Sequence, residues 1–216
     1  MRDKVWTAAL GAVLIAWSAA TPRIPPQWHP VPHAVFGAVV SLLARASLGL
    51  RPPRLWDGLR WGAGVAAPMV VAVAAATLIP PVRAGMAERT LPAPAGRWLL
   101  LGIPIGTVWM EEAAHRAALG TVGERAFGVF GGQLVSAAVF GLSHVPDARA
   151  TGSSVPGTVL VTGAAGWMFG WLYAKSGSLA APMLVHLAVN ETGAIAALAV
   201  QRRRGRRRGR ARASVV

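Results

Sequence analysis

Read for apolar and polar positions, the chain resolves into long apolar runs separated by short clusters of Arg, Pro and Gly. Most of these runs approach the roughly 20 apolar residues needed to cross about 30 Å of hydrocarbon, which predicts membrane-spanning helices. The first covers residues 5–20, after Arg2 and Lys4, and ends in Ser18, Ala19 and Ala20. Such flanks also fit a cleavable signal peptide, but the hydrophobic chain that follows favours an uncleaved first helix. A Pro-rich connector over 21–32 leads to runs at 34–50 and 59–79, the latter with Pro68 as a kink. Residues 80–96, with four prolines and two glycines, predict a loop. Runs at 98–119, 126–145, 155–174 and 179–200 complete the set. The expectation is an all-α polytopic transmembrane helical bundle of about seven spans, within a range of six to eight.

Composition agrees with this pattern. Charged residues make up 14% of the chain, against about 25% in soluble domains. Mean hydropathy is +0.47. The absence of cysteine excludes a disulfide scaffold, thiol catalysis and Cys-ligated zinc. Glycines at 163, 166 and 170 give one apolar run the small-residue spacing of close helix packing. The nine tryptophans suit interfacial belts and packing. His29 and His33, in the Pro-rich connector, are expected to be solvent-exposed.

The formal net charge of +14 has a local source, because eight arginines lie between Arg202 and Arg212. No aromatic residue interleaves them to stack on bases, so no nucleic-acid partner is expected. Directly after an apolar run, such a tail is expected to be disordered, cytoplasmic and held by anionic lipid headgroups. The connector with Arg45, Arg51, Arg54 and Arg60 asks for the same side, yet five spans separate the two. The tail is taken as the cytoplasmic one. The protein is expected to be integral to the membrane, in the plasma membrane.

Ionisable groups inside apolar runs are costly and mark function. Of eight acids, Glu111, Glu112 and Glu191 fall there. Glu111 and His115 share a helix face at i and i+4, and Glu112 and Arg116 share the next one. A Glu112–Arg116 pair would neutralise one carboxylate and leave Glu111 free as a general base acting on water. His186 and Asn190 also stand at i and i+4, where an amide can fix an imidazole or donate to an oxyanion. His144, from a third helix, completes the cluster. Two chemistries fit it. Glu111, His144 and His186 can be read as ligands of a zinc ion. Alternatively, Glu111 and His144 activate water without metal while His186 and Asn190 stabilise the oxyanion. No HExxH motif is present.

These clusters, in this order, resemble the CPBP family of intramembrane proteases, which includes the type II CAAX prenyl endopeptidases and bacteriocin-processing or immunity proteins. The EExxxR motif is matched by Glu111, Glu112 and Arg116, FxxxH by Phe140 and His144, and HxxxN by His186 and Asn190. Residues 166–173 and 176–179 look like the segment that precedes the family's last histidine. The resemblance implies that Glu111 and His144 activate the hydrolytic water and that His186 and Asn190 form the oxyanion site. Glu112 and Arg116 would support them. His115 departs from the family's usual apolar residue before the motif arginine, and Ala117 from its usual glycine after it.

The resulting reading divides the chain into N-terminal spans (1–96), a catalytic membrane core (97–200) and a basic tail (201–216). The protein is expected to be an endopeptidase acting on membrane-associated peptides or proteins, among them prenylated CAAX-type substrates. The rival functions are a proton- or cation-coupled transporter, although no paired, broken spans recur in two halves, and an inactive immunity or scaffold protein.

Overall fold

The computed structural model describes residues 1–25 and 27–213. Five helical stretches are long and apolar enough to cross a membrane: Arg2–Arg23, Arg54–Ala76, Ala95–Ala150, Val155–Ser176 and Ala180–Arg206. Pro30–Leu43 is a shorter apolar helix. The 56-residue stretch is not one rod. Gly128 interrupts it with φ 74° and ψ 172°, a conformation open to glycine and costly for any residue with a Cβ. The chain doubles back there, and the two legs touch: a Cβ on Gly132 would lie 2.5 Å from the Glu124 backbone nitrogen. The protein is thus an all-α membrane bundle with seven apolar segments.

These segments are α1 (Arg2–Ala20), α2 (Pro30–Leu43), α3 (Arg54–Ala76), α5 (residues 95–127), α6 (residues 129–143), α8 (Val155–Ser176) and α9 (Ala180–Ala213). Two short helices, α4 (Pro80–Glu88) and α7 (Val145–Ala150), lie between them. Glycines set the closest contacts. Gly58 and Gly62 of α3 admit Ser178, just before α9, and Leu184 near its start, and Gly166 of α8 receives the Phe140 ring.

Four sequence expectations need correction. The second apolar run was expected over 34–50, but α2 starts at Pro30 and ends at Leu43. Arg45 takes a left-handed φ of 52°, and the amides of Arg45 and Ala46 close back on the carbonyls of Leu42 and Ser41. That is the hydrogen-bond pattern of a Schellman stop. The loop expected over 80–96 contains α4, because Pro80 and Pro81 occupy the first turn, where a missing N–H costs nothing. Of the tail expected to be disordered, residues 201–213 continue α9 as helix to Ala213, and residues 214–216 lie outside the described residues. Arginine is a good helix former, and an existing helix extends without a new nucleation cost. His33, expected to be exposed, is 4% exposed.

Contacts between the loops sort them to two ends of the bundle. At one end, the Leu179 amide donates to the Leu48 carbonyl and Arg125 to that of Ala44. At the other, Arg97 donates to the Gln27 carbonyl and Gln201 to those of Met86 and Arg89. The basic connector and the basic tail therefore stand at opposite ends.

Candidate active site

The middle of α5 carries both glutamates. Its residues Trp98–Trp109 and Glu112–Leu119 are wound in the wider π form, an uncommon geometry that recurs at functional sites. The expected Glu112–Arg116 pair is present, with Arg116 Nε 3.2 Å from Glu112 Oε2 and both side chains fully buried. The other carboxylate oxygen of Glu112 accepts a 2.7 Å hydrogen bond from Nδ1 of His186 on α9. Glu112 is thus held from two helices, and a buried charge so paired is tolerated.

Glu111 is placed differently. Its side chain is 18% exposed, and its Oε2 lies 3.7 Å from His186 Nε2. That is too long for a direct hydrogen bond, and this oxygen is buried without a hydrogen-bond partner among the described residues. The structure therefore separates the two adjacent acids into one fully buried, ion-paired carboxylate and one partly exposed one.

His144 stands where α6 ends and spends Nδ1 on the Phe140 carbonyl at 2.7 Å, which leaves Nε2 free. His186 likewise has Nδ1 engaged. In its neutral form each imidazole presents a lone pair at Nε2, and once protonated each presents an N–H there. Asn190 is half-buried one turn beyond His186. The orienting role considered for it falls to Glu112, and the amide keeps its capacity to donate whatever its neighbours' protonation.

Phe140 is the hub of the cluster. The Arg116 guanidinium carbon lies 3.9 Å from its ring centre, and it meets His115, His144 and His186 edge to face at 5.0, 4.6 and 6.3 Å. Phe169 of α8 stacks on His186 at 5.0 Å and covers Arg116 from a second side. Sequence reasoning assigned Phe169 no part in the site. The signal available was its place among the aromatics of the 166–173 run, between Gly166 and Gly170. His115 is buried, with Nδ1 donating to the Glu111 carbonyl at 3.0 Å. Ser136 in turn donates to the His115 carbonyl at 2.8 Å. His115 Nε2 and all three Arg116 nitrogens have no hydrogen-bond partner among the described residues.

Among the described residues no three His, Asp or Glu side chains gather closely enough to hold a metal ion.

Residues 93–192 match the family model described as Type II CAAX prenyl endopeptidase Rce1-like. No curated protein and no solved structure matches the chain. The matched segment contains Glu111, Glu112, Arg116, Phe140, His144, His186 and Asn190.

Proposed function

We propose that this chain, whose residues 93–192 match the Rce1-like type II CAAX prenyl endopeptidase family model, cleaves prenylated CAAX-type or other membrane-associated peptides, with Glu111 as the general base. The observation that carries this reading is the division of labour between the two acids. Glu112 is fully buried and spoken for by Arg116 and His186, whereas Glu111 is partly exposed and its unpartnered Oε2 faces His186 Nε2 at 3.7 Å.

In the proposed reaction Glu111 takes a proton from a water held between its carboxylate and the Nε2 atoms of His186 and His144. The water oxygen bonds to the scissile carbonyl carbon, and the carbonyl oxygen becomes an oxyanion. The Asn190 amide donates to that oxyanion, joined by His186 when it is protonated at Nε2. Collapse breaks the C–N bond, and the leaving nitrogen takes the proton from Glu111. Glu112 keeps His186 in one orientation, as the carboxylate does in a Ser-His-Asp triad, and Arg116 pairs with Glu112 at 3.2 Å.

The protein is integral to a membrane. We place it in the plasma membrane with the tail cytoplasmic, where the arginines between Arg202 and Arg212 meet anionic headgroups. The test is cleavage in proteoliposomes of a farnesylated CAAX peptide and its unprenylated counterpart, read by mass spectrometry. Cleavage abolished by Glu111→Gln supports the reading. A wild-type protein that cleaves neither the farnesylated peptide nor a membrane-spanning peptide refutes it.

A further inference from the structure

Helix α2 lies outside the family-matched segment, and its buried stripe runs through Pro30, His33, Gly37, Val40 and Ser41. The stripe faces α5, and its contacts there reach mainly main-chain atoms. His33 Nδ1 donates to the Gly106 carbonyl at 2.6 Å, and its Nε2 faces the Thr21 hydroxyl at 3.3 Å. Ser41 donates to the Ala113 carbonyl at 3.0 Å. In the reverse direction, Trp109 Nε1 donates to the Ala34 carbonyl at 3.1 Å. Between these bonds the helix backbones touch, since a Cβ on Gly37 would lie 3.2 Å from Met110 Cα.

The four contacts fall at positions 106, 109, 110 and 113 of α5, so they bracket Glu111 and Glu112. Bonds to main-chain carbonyls resist both rotation of α5 about its axis and sliding along it, which apolar packing alone does weakly. A rotation of roughly 10° moves the end of a long side chain by about 1 Å, a misplacement of the size that costs about 10²-fold in rate. Burying an imidazole at His33 and a hydroxyl at Ser41 against an apolar segment costs free energy unless each is hydrogen-bonded. A helix needed only for packing has no use for either. The geometry points to α2 as the positioning element for the proposed general base, with His33 and Ser41 as its positioning residues. This rests on the reading of Glu111 above.

The experiment uses the full chain in proteoliposomes. His33→Ala and Ser41→Ala are expected to lower kcat about 10- to 100-fold with KM within about twofold of wild type. His33→Asn, which places an amide N–H near Nδ1, should recover most of the loss. Val35→Ala and Val39→Ala, on the exposed face of α2, should match wild type. A second readout is independent of activity. The chain has no cysteine, so Glu111→Cys gives a single thiol whose labelling rate by a small methanethiosulfonate reports the placement of position 111. That rate should change several-fold on adding His33→Ala or Ser41→Ala, and not on adding Val39→Ala. If Glu111→Gln proves fully active, the catalytic reading fails and the labelling rate alone judges α2. If His33→Ala does not fold, Ser41→Ala and His33→Asn carry the same comparison. Unchanged kcat together with unchanged labelling overturns the proposal.

Discussion

Glu112 on α5 and His186 on α9 are joined by a 2.7 Å hydrogen bond, and the same carboxylate faces Arg116 at 3.2 Å. One acid therefore fixes the imidazole that faces Glu111 and also balances a buried guanidinium. The two duties separate by substitution. Glu112→Gln keeps an acceptor for Nδ1 but loses the charge, and it is expected to lower kcat about 10²-fold. Glu112→Ala should also destabilise the protein by about 3–5 kcal/mol, because Arg116 is left as an uncompensated buried charge. Cleavage rates and thermal unfolding of the two variants in the same detergent check both effects.

Glu111 has no comparable structural duty. Glu111→Gln is expected to lower cleavage by about 10³-fold while leaving thermal stability within about 1 kcal/mol of wild type. Glu191→Ala, also within an apolar run, should cleave normally. Normal turnover in Glu111→Gln would remove the proposed base from the mechanism.

The motif reading and the spatial reading meet at different depths. Glu112–Arg116 was legible because four residues bring two side chains onto one helix face, and the seven apolar runs were legible because spanning demands length. The bond from Glu112 to His186 joins residues 74 apart, and the bond from His33 to Gly106 joins residues 73 apart. No local period encodes either. The π winding of α5 and the turn at Gly128 were hidden for a related reason. The polar residues at 120–125 mark a break between two apolar runs, but within the 56-residue helical stretch the reversal itself depends on Gly128 taking a positive φ, which composition does not locate.

Phe140 connects the polar groups through its ring. Phe140→Ala removes a buried aromatic and strips Arg116 of a cation–π face, and it is expected to cost about 3–5 kcal/mol of stability. Phe140→Tyr should keep the stacking, provided the added hydroxyl finds room and a partner. Phe169→Leu, which keeps bulk but loses the stack on His186, should lower kcat more than it lowers stability. Denaturation in detergent, paired with cleavage rates, distinguishes the two positions.

A zinc enzyme and a metal-free one diverge under chelation. Because Glu111, His144 and His186 are not gathered as ligands, cleavage is expected to survive dialysis against a strong chelator. Elemental analysis of wild type, Glu111→Ala and His144→Ala should show no stoichiometric zinc that the substitutions remove. Activity lost on chelation and restored by zinc would mean that the three side chains rearrange into a ligand set in the working enzyme.

The remaining question is which basic end faces the cytoplasm. The alternating spans put Arg45, Arg51 and Arg54 at the end opposite to the arginine tail, so the positive-inside rule cannot be met at both. The tail holds eight arginines in eleven positions directly after a span, the short-range placement in which the rule is strongest. The tail end is therefore expected inside. Single-cysteine reporters settle this in a chain with no cysteine of its own. Leu50→Cys is expected to react with a membrane-impermeant maleimide on intact spheroplasts, and Arg206→Cys only after the membrane is opened. The opposite pattern would place the arginine tail outside. The Leu50 end, with Arg45, Arg51 and Arg54, would then be cytoplasmic, and the anionic headgroups proposed for the tail would have to be sought there instead.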